Sequence, residues 1–242
     1  GSAHAAAGPW PTHPVTIVVP YAPGGATDAV ARLVGQRMAE KLGQPFIVEN
    51  KPGGSSNIGM QAVARAAADG YTLLLVANSI ATNNSLFADL PFDGQRDFAP
   101  VGMIASAPLV VAVPAASPFK TLGDLLARAR AKPGELTYAS PGIGSSAHLA
   151  GESLKQAAGI EVLHVPYKGA APALSDMLGG RISFMPLNTV ESMSHIKGGK
   201  LRALATARAS RMDLLPDVPT AAEAGVPGYE ESVWYGLAAP AS

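Results

Sequence analysis

The sequence predicts an α/β protein built in two halves with a ligand cleft between them. Three observations carry this expectation. A glycine-rich turn joins a β-like run to helical text at Pro20-Tyr21-Ala22-Pro23-Gly24-Gly25-Ala26-Thr27-Asp28. The same arrangement returns at Ser140-Pro141-Gly142-Ile143-Gly144-Ser145-Ser146-Ala147-His148-Leu149. From Leu136 onward, short apolar runs alternate with helical text, the pattern of mostly parallel sheets.

Val15-Thr16-Ile17-Val18-Val19 is the first expected strand. The helix after its turn carries Val30, Leu33, Val34, Met38 and Leu42 at helical spacing. Phe46-Ile47-Val48 is a second strand. A second Pro-Gly-Gly turn, Glu49 to Asn57, then supplies capping residues to an Ala-rich helix ending at Asp69-Gly70. Tyr71 to Ala77 is nearly all apolar, without alternation, as in a central strand covered on both faces. Asn78 and Ser79 fall at its carboxyl end, where ligands collect in open α/β sheets; a solvated turn is the plainer alternative. Leu86 to Pro100 is loop-like. Val101–Ala105 and Leu109–Val113 follow as two strands interrupted by Pro108, with a domain crossover near them. Beyond the helix Thr121–Ala131, strands are expected at Leu136–Ala139, Val162–Val165, Ile182–Met185 and Leu201–Ala205, with a helix from Ala170 to Leu178. Val233 to Ala238 is a last strand able to return to the first half.

Each glycine turn has two readings. It is a tight strand-to-helix connection, or it is an anion site. Glycine lets a ligand approach the backbone, and the helix N-terminus behind it offers free N–H groups and the positive end of the dipole. Recurrence of the device in both halves favours the second reading.

Composition narrows the function classes. The 242 residues hold 18 basic and 18 acidic side chains, so no general field draws the protein to nucleic acid. There is no cysteine, hence no disulfide, thiolate nucleophile or cysteine-bound zinc. The longest apolar run stops at Pro114, well short of a membrane span. The first residues look like a tag scar, and Ala3-His4-Ala5 like the remnant of a leader cleavage site.

Catalytic motifs are poor. Gly142-Ile143-Gly144-Ser145-Ser146-Ala147 fits G-x-G-x-x-A, but no acidic residue ends the next strand to hold a ribose. Ser117-Pro118-Phe119-Lys120 and Ser194-His195-Ile196-Lys197 both match S-x-x-K without its companion motifs. The histidines are scattered and lack metal-ligand spacing. An α/β hydrolase-like enzyme using Ser145 or Ser146 with His148 as base is the alternative to a binding protein, although no acid partner or nucleophile elbow accompanies it. Asp28, in the first helical turn, is a dipole-compatible residue that could fix the loop.

Several segments together resemble the substrate-binding proteins of tripartite tricarboxylate transporters, the Bug family. They are Tyr21 to Asp28, Asn50-Lys51-Pro52-Gly53-Gly54, Ala139 to Gly142 with His148-Leu149, and Val165-Pro166-Tyr167-Lys168-Gly169. Gly199 to Ala205, Pro216 to Thr220 and Trp234-Tyr235-Gly236-Leu237 continue the series in the family's order. The resemblance implies a periplasmic-binding-protein-like fold of type II, with lobe 1 formed by residues 12–107 plus 226–242 and lobe 2 by 108–225. It also implies further helices completing lobe 1 beyond Ser242. The implied protein is a periplasmic monomer, exported by a signal peptide. It binds a small organic carboxylate and delivers it to membrane permease subunits, with no chemistry, cofactor, metal or nucleic acid involved. In the family, main-chain N–H groups of two loops hold the ligand carboxylate, often through ordered water. That carries onto Tyr21, Gly24, Gly25, Ala26, Thr27 and Asp28, and onto Ser140, Gly142, Gly144, Ser145 and Ser146. Asn78, Ser79, Tyr167 and Asn188 fall where members touch the ligand's other end.

Overall fold

The computed structural model describes residues 9–242; the suspected leader remnant Ala3-His4-Ala5 lies outside that range. In order, the elements are β1 (Val15–Val19), α1 (Ala26–Leu42), β2 (Phe46–Asn50), α2 (Asn57–Ala64), β3 (Thr72–Val76), α3 (Ser79–Leu86) and β4 (Phe98–Pro114). They continue with α4 (Leu122–Ala131), β5 (Thr137–Ser140), α5 (Ser146–Ala158), β6 (Leu163–Pro166), α6 (Ala170–Leu178), β7 (Met185–Asn188), α7 (Thr189–Lys197), β8 (Leu201–Thr206) and β9 (Ser232–Pro240).

One sheet runs β2-β1-β3-β9-β4-β7, with β8 also on β4, and a second pairs β5 with β6. The pairs β1/β2, β1/β3 and β5/β6 are parallel, as alternating strands and helices lead one to expect. All pairs made by β4 and β9 are antiparallel. The sheet is therefore mixed, because these two strands are crossings between lobes instead of members of a βαβ unit.

β4 corrects the expectation of two strands broken at Pro108. It is one strand of 17 residues. β9 pairs it from Phe98 to Pro108, and β7 and β8 take over from Leu109 and Val110. Proline falls at the handover between partners, where a missing N–H interrupts the ladder least.

The core divides along the same line. Val15, Ile17, Val19, Leu73 and Leu75 pack under α1, while Leu109, Val111, Tyr138, Leu154 and Phe184 pack in the other lobe. Val226 and Tyr229 pack in that second core, ahead of β9.

Other boundaries differ for local reasons. α2 ends at Ala64, not near Asp69, where the Asp69 side chain accepts from the Tyr71 N–H in a turn. Ser55 and Ser56 have φ of 56° and 72° and make no side-chain cap to α2, unlike the expectation for that turn. The strand expected at Ile182 begins instead at Met185; Ile182 and Phe184 are buried as well, so apolarity does not mark the ladder's start.

α3 was not expected at all. It is held by polar side chains instead of an apolar stripe: Asn83 Nδ2 donates to the Ser55 carbonyl at 2.9 Å and Thr82 Oγ1 to the Gly144 carbonyl at 3.0 Å. The latter bond crosses between lobes.

α5 lies against β5 so closely that a Cβ at Gly151 would run into the Tyr138 ring. That ring is fully buried and stacked on His164 and Phe184. We expect Gly151→Ala to lower stability by about 1–3 kcal/mol through overpacking, outweighing alanine's better helix propensity. Urea unfolding checks this; an unchanged or raised midpoint would show that the helix can ride up without cost.

Candidate functional site

The first glycine turn is held by hydrogen bonds from its own neighbours. Gly24 adopts φ +90°, a conformation that favours glycine. Its N–H donates to Asp28 Oδ2 at 3.0 Å, so the turn closes on the first helical turn. Arg32 Nε donates to the same oxygen at 3.0 Å. Asn50 Nδ2, at the end of β2, donates to Asp28 Oδ1 at 2.9 Å and to the Tyr21 carbonyl at 3.1 Å. Burial alone would push the Asp28 carboxyl up, but the Arg32, Gly24 and Asn50 bonds together hold it below the ordinary range. Asp28 thus fixes the loop. The Gly24 N–H is spent on it, while those of Gly25, Thr27 and Asp28 have no partner among the described residues.

The second turn is held from behind. Ser140 is fully buried, and its hydroxyl is 2.6 Å from His164 Nε2 and bonded to Gly142. Ser145 caps α5: its hydroxyl accepts from the His148 N–H at 3.4 Å and donates to the Gly142 carbonyl at 2.7 Å. Gly144, at φ +82°, presses its backbone against Asn83 and Thr82 of α3, where a side chain would collide. The N–H groups of Ser146 and Ala147 are left without partners among the described residues.

This geometry removes the hydrolase alternative. His148 Nδ1 accepts from the Gly144 N–H at 3.1 Å, so it is not poised against a serine hydroxyl. Its ring is stacked at 4.4 Å on His164, which is stacked at 4.8 Å on Tyr138. Burial lowers the pKa of both histidines, that of His164 to about 4. They are neutral packing and positioning groups beneath the loop.

The two turns face each other. Tyr21, Gly25, Thr27, Pro141, Ser145, Ser146 and Asn188 line one small cavity, together with Ala77, Glu191 and Tyr235. Its free space is about 30 Å³, room for a water or two. The lobes are closed on it: the Ala22 N–H donates to the Lys168 carbonyl at 3.0 Å.

The remaining expected residues sit around this cavity. Ser79, almost fully buried, bonds through its hydroxyl to the Tyr21 hydroxyl at 3.0 Å. Asn78 does not line the cavity; its amide accepts from the Trp234 N–H and donates to the Ser232 carbonyl, tying α3 to the start of β9. Tyr167 turns away, donating to Asp176 Oδ2 at 2.7 Å. Gly24, Ala26, Asp28, Ser140, Gly142 and Gly144 shape the turns from outside the lining.

Sequence reasoning missed Glu191. Its Oε1 accepts from the Ala26 N–H at 2.7 Å, across the cleft from α7 to α1. Its Oε2 accepts from Asn188 Nδ2 at 2.9 Å. Part of the residue keeps solvent contact, but its carboxyl end lies deep in the closed cleft, and desolvation raises its pKa to about 7. Tyr235 and Val233 were missed as lining residues as well, since β9 had been assigned only a return path. Among the described residues no group of three metal-binding side chains occurs.

Residues 30–242 match the model of the tripartite tricarboxylate transporter family receptor. A protein from the tcbD-tcbE intergenic region of Pseudomonas sp. strain P51 is 41% identical over 96% of this chain and 69% of its own length. BugT of Bordetella pertussis is 39% identical over 96% of this chain and 72% of its own. Among solved structures, R. palustris Rpa4515 with adipate is 41% identical, with a TM-score of 0.92 over 96% of this chain and 78% of that one. MatC from Rhodopseudomonas palustris with bound malate is 34% identical, with a TM-score of 0.91 over 96% of this chain and 79% of that one. These similarities identify both the two-lobed binding-protein fold and the lineage: the chain belongs to the tripartite tricarboxylate transporter receptor family.

Proposed function

We propose that this protein is a periplasmic receptor that encloses a small organic carboxylate between its lobes and passes it to the permease subunits of a tripartite tricarboxylate-type transporter. The lobes are residues 12–107 with β9, and 108 to about 231, closing about the β4/β9 pair. The observation that carries the reading is the convergence of two helix N-termini on one cavity. Thr27 and Ser146 both line it, and their N–H groups are without partners among the described residues. A carboxylate between them would gain bonds from both lobes and both dipoles, and so would favour the closed state. Structures of family members with adipate and malate support the ligand class. Delivery to a membrane partner follows from the family.

In a thermal-shift panel of mono-, di- and tricarboxylates, at least one should raise the melting temperature, while simple amines and neutral sugars do not. A ligand at a hundred times its Kd adds about 2.7 kcal/mol. For a chain of this size that is a rise of roughly 5–10 °C. A flat panel on folded protein would overturn the reading.

Gly25 tests the main-chain mechanism. Its φ of −88° and ψ of 177° are open to any residue, so valine there is not strained. A Cβ would, however, stand 3.3 Å from both the Ala170 Cβ and Glu191 Oε1 across the cleft. We expect Gly25→Val to fold and to lose carboxylate binding by propping the lobes apart. Thr27→Ala should weaken binding by at most about tenfold to a hundredfold, one charged hydrogen bond's worth. Calorimetry giving wild-type affinity for folded Gly25→Val would reduce this loop to a strand-to-helix connection.

A further inference from the structure

Glu191 is an acid in a cleft built for acids. The helix N-terminus it touches is half of the expected carboxylate site, and its Oε1 already occupies the Ala26 N–H at 2.7 Å. No lysine, arginine or histidine forms an ion pair with it among the described residues. The ionisable groups facing it are the hydroxyls of Tyr21, from the first turn, and Tyr235, from β9. Its own turn supplies only the neutral Asn188 amide. An enclosed carboxylate without a counter-charge is costly.

A ligand carrying only carboxylates would add negative charge beside this one. A ligand with a cationic nitrogen would instead supply the missing counter-ion. Tyr21 and Tyr235 line the same cavity, and aromatic rings attract a nearby cation. The free N–H groups of Thr27, Ser146 and Ala147 remain for a carboxylate.

We infer that Glu191 is a specificity-determining residue that selects ligands bearing an ammonium group as well as a carboxylate, amino-acid-like zwitterions, over plain carboxylates of the same skeleton. This rests on the carboxylate-receptor reading and narrows it. The ammonium sits between the Glu191 carboxylate and the two tyrosines, and the ligand carboxylate sits between α1 and α5. Binding draws Glu191 Oε1 toward the ligand nitrogen and releases Ala26 N–H to the ligand side of the cleft. Because burial raises the Glu191 pKa to about 7, the selection is strongest above that pH and weakens below it, where the carboxyl takes up a proton.

Calorimetry on matched pairs differing only in the amine tests this: butyrate against 4-aminobutyrate, succinate against aspartate, adipate against 2-aminoadipate. At pH 8 the wild type should bind the amine member of at least one pair about ten- to a hundredfold more tightly. At pH 6 the margin should shrink. Glu191→Gln keeps an acceptor for the Ala26 N–H, so it should fold, and it should abolish or invert the preference. Thr27→Ala, on the carboxylate side, should weaken both members of a pair alike. Equal or tighter binding of the amine-free members by the wild type at pH 8, or an unchanged preference in folded Glu191→Gln, overturns the inference while leaving the carboxylate reading standing. If no carboxylate of either kind binds, both fall together.

Discussion

The antiparallel pairing of β4 with β9 is the constraint on which the molecule depends. Every strand but these two belongs to one lobe, and β4 runs from Phe98 in the first to Pro114 in the second. Its partner changes at Pro108, and with it the core that its side chains enter: Ala107 packs beside Val233 and Tyr235, while Leu109 packs with Tyr138's cluster. Two crossing strands can bend and twist at such a handover while each lobe stays rigid. That arrangement suits a receptor whose lobes must part and close around a ligand. It also aims the site. β1 in one lobe and β5 in the other each lead through a glycine turn into a helix whose first residues, Thr27 and Ser146, line the same cavity.

The electrostatics of the closed cleft follow from that geometry. α1 and α5 present N–H groups without partners among the described residues to a space of about 30 Å³. Among the described residues no lysine or arginine lines it, and the positive potential there comes from the backbone. Into this space lobe 2 inserts the carboxyl group of Glu191, bonded to the first N–H of α1. The protein thereby sets a carboxyl group of its own against one of the N–H donors at this helix N-terminus. The bond helps to join the lobes, at the cost of an enclosed carboxyl whose pKa desolvation lifts to about 7. Asp28 shows the contrast. Two residues after Ala26, it has Arg32, Asn50 and the Gly24 N–H to stabilise its charge, and its pKa falls.

What the sequence discloses and what it hides divide along physical lines. Turns that require glycine are legible, and both glycine turns follow from Pro-Gly patterns ahead of helical text. Central strands of continuous apolar residues were found for the same reason, as with Leu73 to Val76. α3 was hidden because its sequence, Ser79 to Leu86, is mostly polar and its stabilising partners are the Ser55 and Gly144 carbonyls far away in sequence. Pro108 misled because proline usually ends a strand, and only the change of partners explains its tolerance. Glu191 was the deepest omission. Its position three residues after Asn188 has the spacing of a capping residue, and that local role is real, since its N–H donates to Asn188 Oδ1 at 3.0 Å. Its bond to Ala26 spans 165 residues and exists only because the lobes meet. No local pattern could have shown it.

We propose that a ligand carboxylate is held by backbone N–H groups from both lobes at once. A crystal structure with the carboxylate that most raises the melting temperature tests it most directly. The claim predicts carboxylate oxygens at hydrogen-bond distance, about 2.7–3.2 Å, from the Thr27 and Ser146 N–H groups, directly or through one ordered water. A ligand seated in the cleft with its carboxylate turned away from both helix N-termini, or bound outside the cleft altogether, would contradict it.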